Sequence, residues 1–301
     1  MKRVLIQSVC KEEEVKAHKD MMSQRIIKIL KEMAQFIFHM QSRVNEFLIW
    51  TDSISDKRVK NWFLMSSPIP TVIITLSYLM LVKYGPRLME NYKPLELRKT
   101  LIVYNLGMMM LNLFIGLELA RASYVLGYSW YCQPVDYSYN YYEMKIASGL
   151  WWYYMSKLIE FTDTLFFILR KKNNQLTFLH VYHHSTMFFL WWIGVKYVAG
   201  GSSFLAAMMN SFVHVIMYLY YGLSSFGPYM QKYLWWKKYL TCIQLVQFSA
   251  AGVLGLRALI AGCDFPLWMQ YALVIYMLSF IILFSRFYKS SYKERDFRGG
   301  Q

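Results

Sequence analysis

Seven stretches of the chain are almost continuously apolar, at 68–84, 100–121, 147–169, 178–198, 203–222, 238–261 and 267–287. Each comes near or exceeds the about 20 residues that a helix needs to cross hydrocarbon. The pattern therefore predicts an all-α, polytopic membrane protein with seven transmembrane helices over 68–287. An N-terminal segment, 1–67, and a basic cytosolic tail, 288–301, are expected outside that bundle. Within the first of these, Arg25 to Met40 mixes Ile, Leu, Met and Phe with Lys and Arg. Such a mixture suits a helix lying in the membrane interface, or a solvated helix leading into the first span. The early apolar run Val4 to Ile6 is too short for the core of a cleaved signal peptide.

Charge between the apolar blocks sets an orientation. The connections after the first, third, fifth and seventh blocks carry sixteen Lys and Arg, among them Arg170, Lys171 and Lys172. The intervening connections hold four at their edges, Arg121, Lys145, Lys196 and Arg257. Basic loops stay in the cytosol, so the first set is expected there. Parity then places 1–67 on the far side, although that segment has 12 Lys and Arg of its own. Long segments translocate with less regard to charge. Cys132 and Cys263 both fall on the far side, where a disulfide forms if that compartment is oxidising and two free thiols persist if the backbones lie too far apart.

Polar side chains inside the apolar blocks are costly and point to function. Lys157, Glu160, Asp163 and Thr164 follow steps of three and four, one stripe of a helix. His180, His183 and His184 open the next block, Asn210, His214 and Tyr218 lie in the one after, and Thr241, Gln244 and Gln247 follow. At about 1.5 Å per residue all lie within some 18 Å of the cytosolic ends. Four helices are thus expected to build one buried polar chamber open to the cytosol.

Composition narrows what that chamber does. The 33 Lys and Arg against 18 Asp and Glu, a net charge of +15, would suggest nucleic-acid binding in a soluble protein. Here 56% of the residues are hydrophobic and the charge lies between apolar blocks, so lipid headgroups or anionic substrates are the expected partners, with no nucleic acid. Four cysteines without CxxC spacing make no zinc site. Four of the six histidines fall in the chamber. Imidazole ligates iron and zinc, and HxxHH resembles the boxes of membrane desaturases and hydroxylases, whose di-iron sites need about eight histidines; a mononuclear site stays open on ligand count. Without metal, neutral imidazole is a nucleophile toward thioesters and a proton shuttle near neutral pH. Gln, Asn and Tyr side chains suit a developing enolate or oxyanion. A transporter would instead favour a polar path reaching both faces.

The blocks KLIEFTDT (157–164), HVYHH (180–184), NSFVHVIMYLYY (210–221) and TCIQLVQ (241–247) resemble, in order, the four signatures of the very-long-chain fatty-acid elongases, and the similarity runs from about residue 50 to 290. RKKNNQLTFLHVYHHSTM, with Gln175 before the first His, is similar to the animal enzymes acting on polyunsaturated and very long chains. The resemblance implies condensation of an acyl-CoA with malonyl-CoA to a 3-oxoacyl-CoA, CO2 and CoA, with no cofactor and no metal. It implies that His183 carries the acyl group as an acyl-imidazole, that His214 lies beside the reacting carbons, and that His180 and His184 orient the site or shuttle protons. Asn210, Tyr218, Gln244 and Gln247 become candidates to stabilise the enolate or bind the thioester, and Arg170, Lys171 and Lys172 to meet CoA phosphates, a role that orientation alone also explains. Lys157 is expected to pair with Glu160 or Asp163, as part of the site or as a structural ion pair. A Cys132–Cys263 disulfide, residence in the endoplasmic reticulum membrane, and association as homodimers and with the other enzymes of the elongation cycle are implied as well. The chain ends SYKERDFRGGQ, without the lysine-based retrieval signal of many relatives.

Overall fold

The computed structural model describes the backbone of residues 2–293, and side chains from Met21 to Tyr292 except at 23 and 26. The tail from 294 onward lies outside the described residues, as does the side chain of His18. The described residues are helical without strands: α1 (Lys2–Ser53), α2 (Ile69–Leu88), α3 (Arg98–Val125), α4 (Tyr141–Leu169), α5 (Phe178–Tyr197), α6 (Ser203–Ser224), α7 (Lys237–Ile260) and α8 (Leu267–Tyr288), joined by short 3-10 turns and loops. The chain divides into two compact units after Ser55. The first contains α1, a single helix that takes in the whole of Arg25 to Met40 and leaves its described apolar side chains exposed, among them Phe36, Ile37 and Phe38.

The second unit holds α2 to α8, one helix for each apolar block. Five of them, α2, α3, α6, α7 and α8, are long and apolar enough to cross a membrane, so the protein is a multi-pass membrane protein. Helices α4 and α5 fall short of that measure because they carry the polar stripe and three histidines. Local chemistry sets the ends. Asn140 accepts a hydrogen bond from the Tyr142 N–H at 2.9 Å and starts α4, and Thr177 accepts from the His180 N–H at 3.3 Å and starts α5, fixing the register of the histidines. Pro266 precedes α8, and Gly262, at φ +65°, follows α7.

Helix α4 is central. It packs on α2, α3, α5 and α6, while α3 runs along α6 and α7 along α8. Close approach depends on small residues, as is usual between membrane helices. A methyl group on Gly149 of α4 would lie 2.7 Å from Leu119 Cδ2 and 3.0 Å from its Cγ, too near for the leucine to yield without moving its branch point. Gly149→Ala is therefore expected to cost about 1–3 kcal/mol by forcing α3 and α4 apart. A lower midpoint of thermal unfolding in detergent, with the helix content unchanged, checks it.

One end of this unit is tied by polar and covalent links. Buried Arg58 pairs with Asp56 at 2.7 Å and donates to the carbonyls of Asp136, in the α3–α4 connection, and Ala199, in the α5–α6 connection, at 2.7 and 2.9 Å. Ser202 N–H donates to Gln133 O at 2.9 Å, with Gly201 at φ +53° so close to Gln133 O that a side chain there would collide. Tyr128 OH donates to buried Glu143, whose carboxyl is raised above its usual range by burial. Cys132 and Cys263 are joined by a disulfide, Cα–Cα 5.5 Å, which binds the α3–α4 connection to the α7–α8 connection.

Candidate active site

The polar stripe of α4 meets α5 and α6 in the interior of the unit. Lys157 and Glu160, one turn apart, are both fully buried and joined at 2.7 Å from Nζ to Oε1. Two bare charges in such surroundings would be very costly, and the pair is stable only with further partners. These are present. Lys157 Nζ also donates to Asn210 Oδ1 at 3.3 Å, lies 3.5 Å from His214 Nδ1, and sits 4.4 Å from the centre of the Tyr153 ring. Glu160 Oε1 lies 3.1 Å from His214 Nδ1. Its other oxygen faces His184 Nδ1 at 3.9 Å, and neither atom has a hydrogen-bond partner.

Three further links reach from this centre. Tyr153 OH donates to Asn210 Oδ1 at 2.6 Å, and Asn210 Nδ2 donates to Gln247 Oε1 at 3.3 Å, joining α4, α6 and α7. Thr164 Oγ1 and His180 Nε2 share a hydrogen bond at 2.7 Å, and Tyr78 of α2 reaches Thr164 at 3.1 Å. Asp163 Oδ2 accepts from Tyr218 OH at 2.8 Å.

His183 stands apart from this network. Among the described residues its ring nitrogens have no hydrogen-bond partner, and its ring contacts are with His184, His214 and Phe280, at centroid distances of 5.1, 6.3 and 5.4 Å. It forms part of the wall of an apolar cavity of about 370 Å³ between α5, α6, α7 and α8, whose other polar walls include Tyr153, Asn210 and Gln247. An imidazole with uncommitted nitrogens thus lines an apolar space, beside amide groups held in place by hydrogen bonds.

The structure brings His180, His183, His184, His214, Lys157, Glu160, Asn210 and Gln247 together. Asp163, on the same stripe of α4, pairs with Tyr218 of α6. Gln244 lies beside Met217, its Nε2 3.8 Å from the sulfur. Arg170 caps the end of α4, and Lys171, at φ +52°, turns away to donate to the Glu90 carbonyl at 2.8 Å. Lys172 follows in the turn before α5. Sequence reasoning missed Tyr153 and Tyr78. Tyr153 lies four residues before Lys157 and extends the α4 stripe by one turn, a signal that was available; nothing in the sequence around Tyr78 marks it.

The chain is similar to known proteins over most of its length. Residues 63–298 match the profile described as ELO: GNS1/SUR4 family. The chain is 58% identical over 249 residues, 83% of its length and 79% of the relative's, to very long chain fatty acid elongase 4 of Homo sapiens. It is 45% identical over 254 residues to elongase 2 of Mus musculus, covering 84% of this chain and 86% of that one. To elongase 5 of Tachysurus fulvidraco it is 46% identical over 240 residues, 80% of this chain and 81% of that one. With the profile match running from 63 to 298 and the human relative covering more than four-fifths of its length, the chain belongs to the ELO (GNS1/SUR4) family.

Proposed function

We propose that the protein is a fatty-acid elongase, a 3-oxoacyl-CoA synthase that condenses long and very-long-chain acyl-CoA, polyunsaturated chains included, with malonyl-CoA. The observation that carries this reading is the uncommitted His183 ring in the wall of an apolar cavity, next to Asn210 and Gln247.

In the first half-reaction a neutral His183 nitrogen attacks the thioester carbonyl, the C–S bond breaks, and CoA leaves as an acyl-imidazole forms. In the second, malonyl-CoA loses CO2, and the resulting enolate carbon attacks the acyl carbon. The C–N bond to His183 breaks, and 3-oxoacyl-CoA is released with the imidazole restored. Gln247, whose carbonyl is occupied by Asn210, keeps its amide N–H groups for the enolate or thioester oxygen. His214, held by Glu160 and Lys157, is the nearest imidazole to His183 outside α5 and is placed to exchange a proton with the reacting groups. His180 and His184 orient the site, the former through Thr164. No cofactor beyond the two substrates enters this scheme.

Helices α4 and α5 cross the membrane with the other five in this reading, since each is packed among them and their polar groups pair with one another. The chamber opens at the cytosolic end, where Arg170, Lys171 and Lys172 meet CoA phosphates, and the disulfide end faces the lumen of the endoplasmic reticulum. Homodimers and contacts with the other elongation enzymes belong to the same proposal. Microsomes containing the protein, supplied with malonyl-CoA and a panel of acyl-CoA primers, are expected to form products two carbons longer. A well-expressed protein that extends none of a broad panel overturns the reading.

A further inference from the structure

Tyr153 lines the apolar cavity together with His183, Asn210 and Gln247, yet the condensation scheme gives it no part. Its hydroxyl donates to Asn210 Oδ1 at 2.6 Å, the shorter of two bonds that oxygen accepts; the other, from Lys157 Nζ, is 3.3 Å long. The ring is held independently of the hydroxyl. It is fully buried, with Trp191 edge-on at a centroid distance of 4.5 Å and the Lys157 ammonium 4.4 Å from its centre.

The bond to Asn210 decides a direction. An amide carries donors at one end and an acceptor at the other, in two groups of nearly equal shape. With two donors converging on one side of Asn210, only its carbonyl oxygen fits there, so Nδ2 points away and donates to Gln247 Oε1 at 3.3 Å. Gln247 is oriented in turn, its oxygen toward Asn210 and its Nε2 away from it. The two N–H groups of Gln247 are then the last donors of a chain that starts at Tyr153 and Lys157. Turned over, the same chain would end in a carbonyl oxygen, which repels the negative charge gathering on an enolate or thioester oxygen. Lys157 alone holds the start of the chain weakly, because its ammonium is drawn to Glu160 at 2.7 Å and its contact with Asn210 is the long one. Successive hydrogen bonds also polarise one another, so the first bond strengthens the last donor.

We infer that Tyr153 is a positioning residue: its hydroxyl, acting through Asn210, holds Gln247 with its amide donors toward the reacting oxygen. This rests on the elongase reading above, and it requires no contact between Tyr153 and substrate.

Tyr153→Phe keeps the ring and removes only the bond, while Gln247→Leu removes the group that the bond positions. Full-length wild type, both single variants and the double variant, in microsomes at matched expression, are compared for turnover and for the KM of one accepted acyl-CoA, with labelled malonyl-CoA. Thermal unfolding in detergent controls for folding. Tyr153→Phe is expected to lower turnover roughly tenfold to a hundredfold, the cost of misplacing a reacting-site group by up to about 1 Å. Its KM is expected to hold, since the apolar wall is unchanged. Gln247→Leu is expected to lower turnover about 10²–10³-fold, as loss of one oxyanion donor does. Added to Gln247→Leu, Tyr153→Phe is expected to cost almost nothing more, because a chain without its last donor has no direction to hold.

The inference is overturned if Tyr153→Phe turns over like wild type, or raises KM and leaves turnover alone. It is overturned too if the losses of the two single variants multiply in the double variant, as they would for a bond that serves only the fold, or if Tyr153→Phe does not accumulate. Should Gln247→Leu fail to accumulate or leave no turnover to measure, the split between turnover and KM in Tyr153→Phe decides. A wild type that extends no primer rejects the elongase reading itself, and is told apart because no comparison of variants then exists.

Discussion

His183→Ala abolishes condensation in a protein that still folds. The ring makes no hydrogen bond to a described residue, so its removal orphans no buried donor or acceptor; it only enlarges a cavity that is already about 370 Å³. Loss of a nucleophile that carries the covalent intermediate is expected to lower turnover by at least about 10³-fold, equivalent to roughly 4 kcal/mol of transition-state stabilisation. Formation of labelled 3-oxoacyl-CoA from malonyl-CoA measures it, with thermal unfolding in detergent as the control for folding. The same variant should lose any acyl group retained on the wild-type protein when acyl-CoA is supplied without malonyl-CoA. Undiminished turnover would remove His183 from the covalent role.

The largest effect on stability is expected at Glu160. Glu160→Gln leaves the Lys157 ammonium fully buried without an anion, and disturbs the partner of His214 in the same stroke. Removing one member of a buried ion pair costs about 3–5 kcal/mol, because the surviving charge keeps its desolvation penalty. The variant should accumulate poorly and unfold at a markedly lower temperature. Replacing both members with apolar residues, Lys157→Met with Glu160→Leu, should recover most of that stability, since such swaps are often neutral or favourable. Condensation should not return, because His214 and Asn210 lose the groups that position them. A Glu160→Gln protein as stable as wild type would show that the pair does not exist as two charges.

The helices were legible because apolar runs of this length have few alternatives to a helix. Their ends were less so. The first block stops near Tyr84 on polarity, yet α2 runs on to Leu88 through Arg87, and α3 starts at Arg98 before the apolar run begins. Hydropathy traces the hydrocarbon, while the helix continues until a cap or a turn stops it. Asn140 likewise starts α4 six residues ahead of the apolar edge at 147. For α1 the mixture of Lys, Arg, Ile and Phe at 25–40 suited an interfacial or a solvated helix, and the structure joins it into one helix from Lys2 to Ser53.

In the site, the residues legible in the sequence are those expensive to bury, the histidines and the Lys157–Glu160 stripe, since their cost alone marks them. Tyr153 and Trp191 are two of many aromatics. Their importance lies in what they pack against, which no local pattern encodes.

The bond between Cys132 and Cys263 also constrains how the protein is made. A disulfide cannot reach across a bilayer, so the connections before α4 and after α7 emerge on one face, and the helices between them cross an even number of times. Helices α6 and α7 are apolar enough to cross by themselves; α4 and α5 must then enter as a hairpin or not at all. Such a hairpin is already partly self-sufficient. Lys157 and Glu160 neutralise each other within α4, and Thr164 meets His180 across the pair. The polarity that makes each helix a poor candidate for solitary insertion is therefore partly satisfied within the α4–α5 pair itself.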